Sequence, residues 1–242
     1  MRYFFEVSYK GTKYAGFQVQ ANANTIQAEV EKALRIFFKK DIPLTGSSRT
    51  DAGVHALQNF FHGDSDGPLD LSSSYNLNAI LPPDIVIRKI VPVSDQAHCR
   101  FDAISREYHY FIYNKKDPFM LDRAYFYPYN LQIELLHQSA NIIVSNNNFL
   151  QFSKRNTQVN NHICTVSKSE WVAETGCLVY KVKANRFLRG MVRALVATML
   201  KVGTNKISIE DFEKNFTNES ASSVEFAAPP QGLFLAEVIY KF

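Results

Sequence analysis

The chain predicts an α+β fold. Three observations carry that reading. Some segments alternate apolar and polar residues as strands do, others repeat apolar residues at helical spacing, and the order of the two never settles into strict βαβ alternation. Two α+β halves are expected, 1–104 and 105–242, although no Gly-, Ser- or Pro-rich linker marks the boundary near 100–106.

Residues 2–9 alternate, with Tyr3, Phe5, Val7 and Tyr9 on one side, and predict a strand. Asn24 with Gln27 has the form of a capping box, and Ile26, Val30, Ala33, Leu34 and Phe37 form the apolar stripe of the helix it would open. A strand is expected over 55–62, a short helix over 72–81, and a second strand over 85–91 beyond Pro82-Pro83. In the second half, "SREYHYFIY" at 105–113 alternates as a strand, and a helix is expected near 132–144. A hairpin over 163–184 turns at Thr175-Gly176. A helix over 186–201, a short one capped by Ser208 with Asp211, and a strand over 233–241 complete the chain.

Composition narrows the function classes. The 242 residues are 46% hydrophobic and 21% charged, enough apolar material for a real core. A net charge of +4 and a pI near 8.8 permit a polyanionic partner if the positive charge clusters. Cys99, Cys164 and Cys177 are odd in number and form no CxxC pair, so they suggest neither a disulfide framework nor a zinc site and fit a reducing cytosol. The N-terminus reads as a strand rather than a signal peptide, and no run reaches membrane-spanning length. A cytoplasmic protein is expected.

Two stretches ask for more than packing. In the helix expected over 186–201, Phe187, Leu188, Met191, Val192, Leu195, Val196, Met199 and Leu200 make one apolar face. Arg186, Arg189 and Arg193, spaced by three and four, would share the opposite one, as a solvated row, as phosphate contacts or as partners of a buried carboxylate. The second stretch is "TGSSRTDAGVHALQNFFHG" at 45–63, where small polar residues surround Arg49 and Asp51. It reads as a turn with a surface pair, as an anion nest that Asp51 would spoil, or as a catalytic carboxylate on a loop between rigid elements.

"SRTDAGVHA" at 48–56 closely resembles the catalytic motif of the TruA family, the tRNA pseudouridine synthases A. "YKGTKYAGFQVQ" at 9–20, "LNAILPPDIVI" at 77–87 and "HCRFDAISREYHYFIYN" at 98–114 resemble further family signatures in the expected order. "ANRFLRGMVR" at 184–193 and "APPQGLFLAEVIY" at 228–240 extend the resemblance over nearly the whole chain. Phe17 stands where the family more often has tryptophan, and 154–166 matches poorly.

The resemblance implies an isomerase that turns uridine into pseudouridine at positions 38, 39 and 40 of tRNA, in the anticodon stem-loop. It implies two RRM-like or ferredoxin-like halves sharing a continuous, mixed, mainly antiparallel sheet with a central catalytic cleft, and a homodimer in which one tRNA contacts both subunits. By the same resemblance Asp51 is the catalytic aspartate and Arg49 helps hold the RNA with the target base flipped out. Tyr108 stacks on that base and helps remove the C5 proton, and Arg193 pairs with Asp51. Arg186 and Arg189 are candidate RNA-backbone contacts.

The chemistry agrees. The C1′–N1 bond breaks, the uracil turns and C5 bonds to C1′, so no metal, nucleotide or redox cofactor is required. An ionised aspartate can act as nucleophile at C1′ or as base at C2′, and neighbouring arginines favour its charged form. A base inside a stem must be extruded, and an aromatic face compensates lost stacking. His55 is expected to be structural, His98 and Cys99 are poorly spaced for metal, and the other aromatics of 105–113 are expected mostly in the core. The alternative from another class is a non-catalytic RNA-binding protein with two RRM-like domains, but "EYHYFIY" lacks the glycine spacing of that fold's aromatic motif.

Overall fold

The computed structural model describes residues 1–154, 161–217 and 224–241. The chain divides into two compact units, one of residues 1–104 with 234–242, the other of residues 105–233. The architecture is α+β, and its strand pairs are mainly antiparallel.

In the first unit, β1 (Arg2–Tyr9) is flanked by β3 (His55–Asp64) and β4 (Ile85–Val93), both antiparallel to it. The two-residue β2 (Thr45–Gly46) pairs with the distal end of β3, at Phe61 and His62. At the proximal end, His55 and Ala56 pair in parallel with Phe234 and Leu235 of β9 (Leu233–Ile239). The strand expected at 2–9 is observed, yet Phe4 on its other side is as buried as Phe5, so both faces of the central strand are covered. Burying each such side chain contributes about 1.5–3 kcal/mol, which makes this sheet a firm base for the loops at its end.

Helix α1 (Ile26–Phe38) buries Ile26, Val30, Ala33 and Leu34 of the predicted stripe, while Phe37 at its end is half-buried. Its cap is Thr25 rather than Asn24: the Thr25 hydroxyl accepts from the Ala28 amide. Gln27 does not reach back in a capping box, because its amide nitrogen donates to Leu44 O at 2.8 Å and Glu31 Oε1 at 2.9 Å. Helix α2 (Ser74–Ile80) follows a 3₁₀ turn at Leu71–Ser73.

In the second unit, β8 (Cys177–Ala184) lies between β5 (Ser105–Tyr113) and β7 (Val166–Glu174), antiparallel to both, while the short β6 (Tyr125–Phe126) runs parallel to β5. Gly176 at φ 77° makes the β7–β8 turn. Helix α3 (Ile133–Ser145) and helix α4 (Met191–Gly203) pack together, and α5 (Ile209–Glu213) is capped by Ser208, whose hydroxyl accepts from Asp211 N at 3.1 Å.

The second unit corrects one expectation. The helix predicted from 186 begins at Met191, because Gly190 sits at φ 75°, a left-handed conformation that interrupts a right-handed helix and suits glycine. Arg189 is tied elsewhere, its carbonyl accepting from Lys154 N at 3.0 Å. Helix α4 is also buried nearly all round, without the broad solvated face that the periodicity suggested.

Candidate active site

The stretch with Arg49 and Asp51 is an irregular loop between β2 and β3, and its neighbours are nailed to the sheet. Ser47, Ser48 and Thr50 are buried although polar, so each requires partners. Ser47 N donates to Phe60 O at 2.8 Å, and the Tyr240 hydroxyl donates to Ser47 Oγ at 3.0 Å. Asn59, fully buried in β3, donates through Nδ2 to Ser48 O at 2.9 Å and to the Tyr9 hydroxyl oxygen at 3.1 Å. The Tyr9 hydroxyl lies 2.8 Å from Thr50 Oγ1, and Thr50 O accepts from Phe17 N at 3.1 Å. Among the described residues, no buried side-chain nitrogen or oxygen lacks a partner.

This frame sorts the motif residue by residue. Thr50 points inward, Arg49 is exposed and Asp51 is half-buried between those limits. Asp51 O accepts from Val54 N at 3.2 Å, closing a tight turn in which Gly53 takes φ 78°, the conformation that favours glycine after the aspartate. A half-buried carboxylate on a fixed loop can meet a substrate without spending conformational entropy at the moment of reaction. Gly11 lies so close that a Cβ there would collide with the Val54 carbonyl. Its amide donates to His55 Nδ1 at 3.0 Å. His55 is buried and stacks on Phe234 at 4.5 Å, which makes it part of the frame as expected. Phe17 stacks almost parallel on Phe61 at 4.3 Å, so the residue found where tryptophan is commoner is a core wall.

Tyr108 is half-buried on β5 opposite Val182 of β8, and its ring meets Phe187 edge-on at 5.0 Å. Tyr110, on the same face, is fully buried; its hydroxyl donates to Pro229 O at 2.8 Å, and burial pushes its pKa up. On the opposite face Glu107 is held below the ordinary carboxyl range. Burial opposes its ionisation, but hydrogen bonds from His109 at 3.0 Å and Lys168 at 3.3 Å outweigh that cost. Arg193 stands in the first turn of α4, half-buried, with Nε donating to Ala228 O at 2.6 Å. Arg186 and Arg189 precede the helix, half-buried and exposed respectively, so they form no helical row with Arg193.

Burial pushes Cys164 up to about 11 and raises Cys177 as well, while Cys99 is buried with Sγ 3.1 Å from Thr45 O. Among the described residues no group of three or more His, Cys, Asp or Glu is placed to hold a metal ion, and no helix is long and apolar enough to cross a membrane. Residues 155–160, within the poorly matching 154–166, lie outside the described residues.

Sequence reasoning found Arg49 and Asp51 but missed Tyr9, Thr50 and Asn59, which hold them. The available signal was Asn59, an amide directly before Phe60 and Phe61 in the middle of its strand.

A family model described as tRNA pseudouridine synthase matches residues 7–102 and 144–241, spanning the Asp51 loop and α4. The chain is 39% identical over 240 residues to a tRNA pseudouridine synthase A of Azobacteroides pseudotrichonymphae, covering 99% of this chain and 96% of that one. It is 39% identical to the protein of that name from Porphyromonas gingivalis, covering 99% and 97%. A Staphylococcus aureus relative is 34% identical, covering 98% and 91%. With matches of this extent, the chain belongs to the tRNA pseudouridine synthase family.

Proposed function

We propose that this protein isomerises uridine to pseudouridine in tRNA, at positions 38, 39 and 40 of the anticodon stem-loop, with Asp51 as the catalytic carboxylate. The observation that carries the reading is the Asp51 loop: a half-buried carboxylate beside an exposed arginine, held by a fully satisfied buried hydrogen-bond network. Such a network around a surface-reaching acid is more than a turn needs, and it is what positioned chemistry requires.

In the proposed reaction Asp51 acts at the ribose, as nucleophile at C1′ or as base at C2′. The C1′–N1 bond breaks, the freed uracil turns, C5 bonds to C1′, the C5 proton leaves and N1 takes up a proton. Tyr108 meets the flipped base and assists removal of the C5 proton. Arg49 and Arg193 serve substrate binding, and Arg186 and Arg189 contact the RNA backbone as separate groups rather than as one helical face. The active protein is a homodimer in the cytoplasm.

The test is to incubate the protein with unmodified tRNA transcripts and map pseudouridine by a chemical adduct that stalls reverse transcription. Stops at 38–40 are expected. Folded protein that leaves that segment unmodified in several tRNAs would instead support the non-catalytic RNA binder.

A further inference from the structure

The first unit contains a cavity of about 200 Å³ beside the Asp51 loop, lined by Gln18, Gln27, Arg49, His98, Arg100 and Phe101 among others. It is smaller than the roughly 300–1,000 Å³ of small-molecule sites, room for one ring system and little more. Its rim is chemically unusual. Phe101 is 73% exposed, a large apolar ring that contributes little to the core. His98 lies 4.2 Å from it centroid to centroid, and the Arg100 guanidinium stands over the ring at 5.6 Å.

The platform is fixed. His98 Nδ1 accepts from Arg100 N at 3.1 Å, and His98 O accepts from Phe101 N at 3.1 Å and Asp102 N at 3.0 Å. Asp102 Oδ2 in turn accepts from His98 N at 2.7 Å. Gln27 is a rigid wall, with its amide engaged by Leu44 O and Glu31 and its oxygen accepting from Val19 N at 3.2 Å. A pre-ordered exposed aromatic with two arginines is the equipment that takes a single unpaired base by stacking and its phosphate by charge. Extruding one nucleotide from a stem unstacks its neighbours, so a second stacking surface near the catalytic loop has a physical use.

We propose that this cavity is a subsite for a second, unpaired nucleotide of the RNA, its base against Phe101 and His98 and its phosphate held by Arg49 and Arg100. The inference rests on the reading of the protein as a tRNA-modifying enzyme and adds a place for a nucleotide other than the target uridine, with Arg49 shared between the two. Stacking on Phe101 tolerates any base, so the subsite selects an unpaired nucleotide rather than a sequence.

The experiment measures affinity of an anticodon stem-loop transcript, and of a set each carrying one abasic nucleotide in the loop, for wild type, Phe101→Ala and Phe101→Leu. Phe101→Ala should weaken binding of the intact transcript roughly 5- to 100-fold, the range for loss of one base–aromatic stack. Phe101→Leu, which keeps apolar bulk without an aromatic face, should recover only part of it. One abasic position should cost wild type a similar factor and cost Phe101→Ala almost nothing more. Binding by Phe101→Ala within two-fold of wild type, or equal abasic losses in both proteins at every position, overturns the subsite. Wild type that binds and shows this coupling but forms no pseudouridine sinks the catalytic reading alone. Wild type with no affinity for the RNA sinks both.

Discussion

The Asp51 loop and the approach to α4 reverse each other. Residues 47–54 have no regular secondary structure, yet Ser47, Ser48 and Thr50 are buried and tied to Tyr9, Phe17, Asn59, Phe60 and Tyr240. Residues 186–190 carry the periodicity of a helix, yet the helix starts only after Gly190. The difference teaches that order in these two segments follows satisfied polar groups and glycine geometry more closely than hydrophobic pattern. It also separates two kinds of charged residue: Asp51 is held by its surroundings, whereas Arg189 is exposed on an irregular segment.

The largest expected effect breaks the loop's chemistry without its frame. Asp51→Asn should lower turnover by several powers of ten, since the proposed nucleophile or base is removed. Its thermal midpoint should stay within a few degrees of wild type, and tRNA affinity should hold or rise slightly as a negative charge leaves the RNA's vicinity. Gly11→Ala makes the opposite cut. The added methyl meets the Val54 carbonyl, so the variant should lose about 3 kcal/mol in urea unfolding and its activity with it. Gly67→Ala, with nothing within 4 Å of the new Cβ, is the control and should change stability by under about 1 kcal/mol.

Next comes Tyr108→Phe, which keeps the stacking ring and removes the hydroxyl. Binding of tRNA should stay within a few-fold of wild type while the step that removes the C5 proton slows on the order of 100-fold. Full activity would leave Tyr108 a stacking role only.

The arginine segment should respond in degree. Arg186→Ala with Arg189→Ala should flatten the dependence of log affinity on log salt by roughly 0.7–0.9 for each phosphate no longer neutralised. An unchanged slope would assign both side chains to a structural or solvated role.

The smallest effect is on pH dependence. Burial, with lesser repulsion from His98 and Arg2, lowers His62 to about 4. Between the ordinary histidine pKa near 6.5 and that value, the unfolded chain binds a proton that the folded one refuses. The associated stability is therefore present above about pH 6.5 and drains away as pH falls toward 4, costing about 1–2 kcal/mol by pH 5. Urea midpoints at pH 7.5 and 5 check this, and His62→Gln should remove that part of the slope.

Much of this was legible in the sequence. The strand at 105–113 has the bounds its sequence predicts, and Ser208 caps its helix as its spacing with Asp211 predicts. Thr25 displaced Asn24 as a cap, and Gln27 turns instead to Glu31 one turn along the helix and to Leu44, a partner 17 residues on that no local pattern announces. The start of α4 was misread for a related reason. Apolar spacing through 186–190 continues that of the helix, and only the φ of Gly190 shows where the helix begins. At the candidate site, Arg49 and Asp51 stood out by motif. Their frame did not, because Tyr9 and Asn59 reach the loop from β1 and β3 across 41 and 11 residues of sequence.

The central claim is that Asp51 drives breakage and re-formation of the glycosidic bond. A tRNA transcript labelled with tritium at uracil C5 tests it most directly, because that hydrogen leaves only when C5 has become bonded to C1′. Under single-turnover conditions, with protein in excess over bound tRNA, wild type should release label from the uridines at 38–40 and Asp51→Asn should release none above background. Release by Asp51→Asn at even a few per cent of the wild-type rate, with back-translation and deamidation excluded, would contradict the assignment.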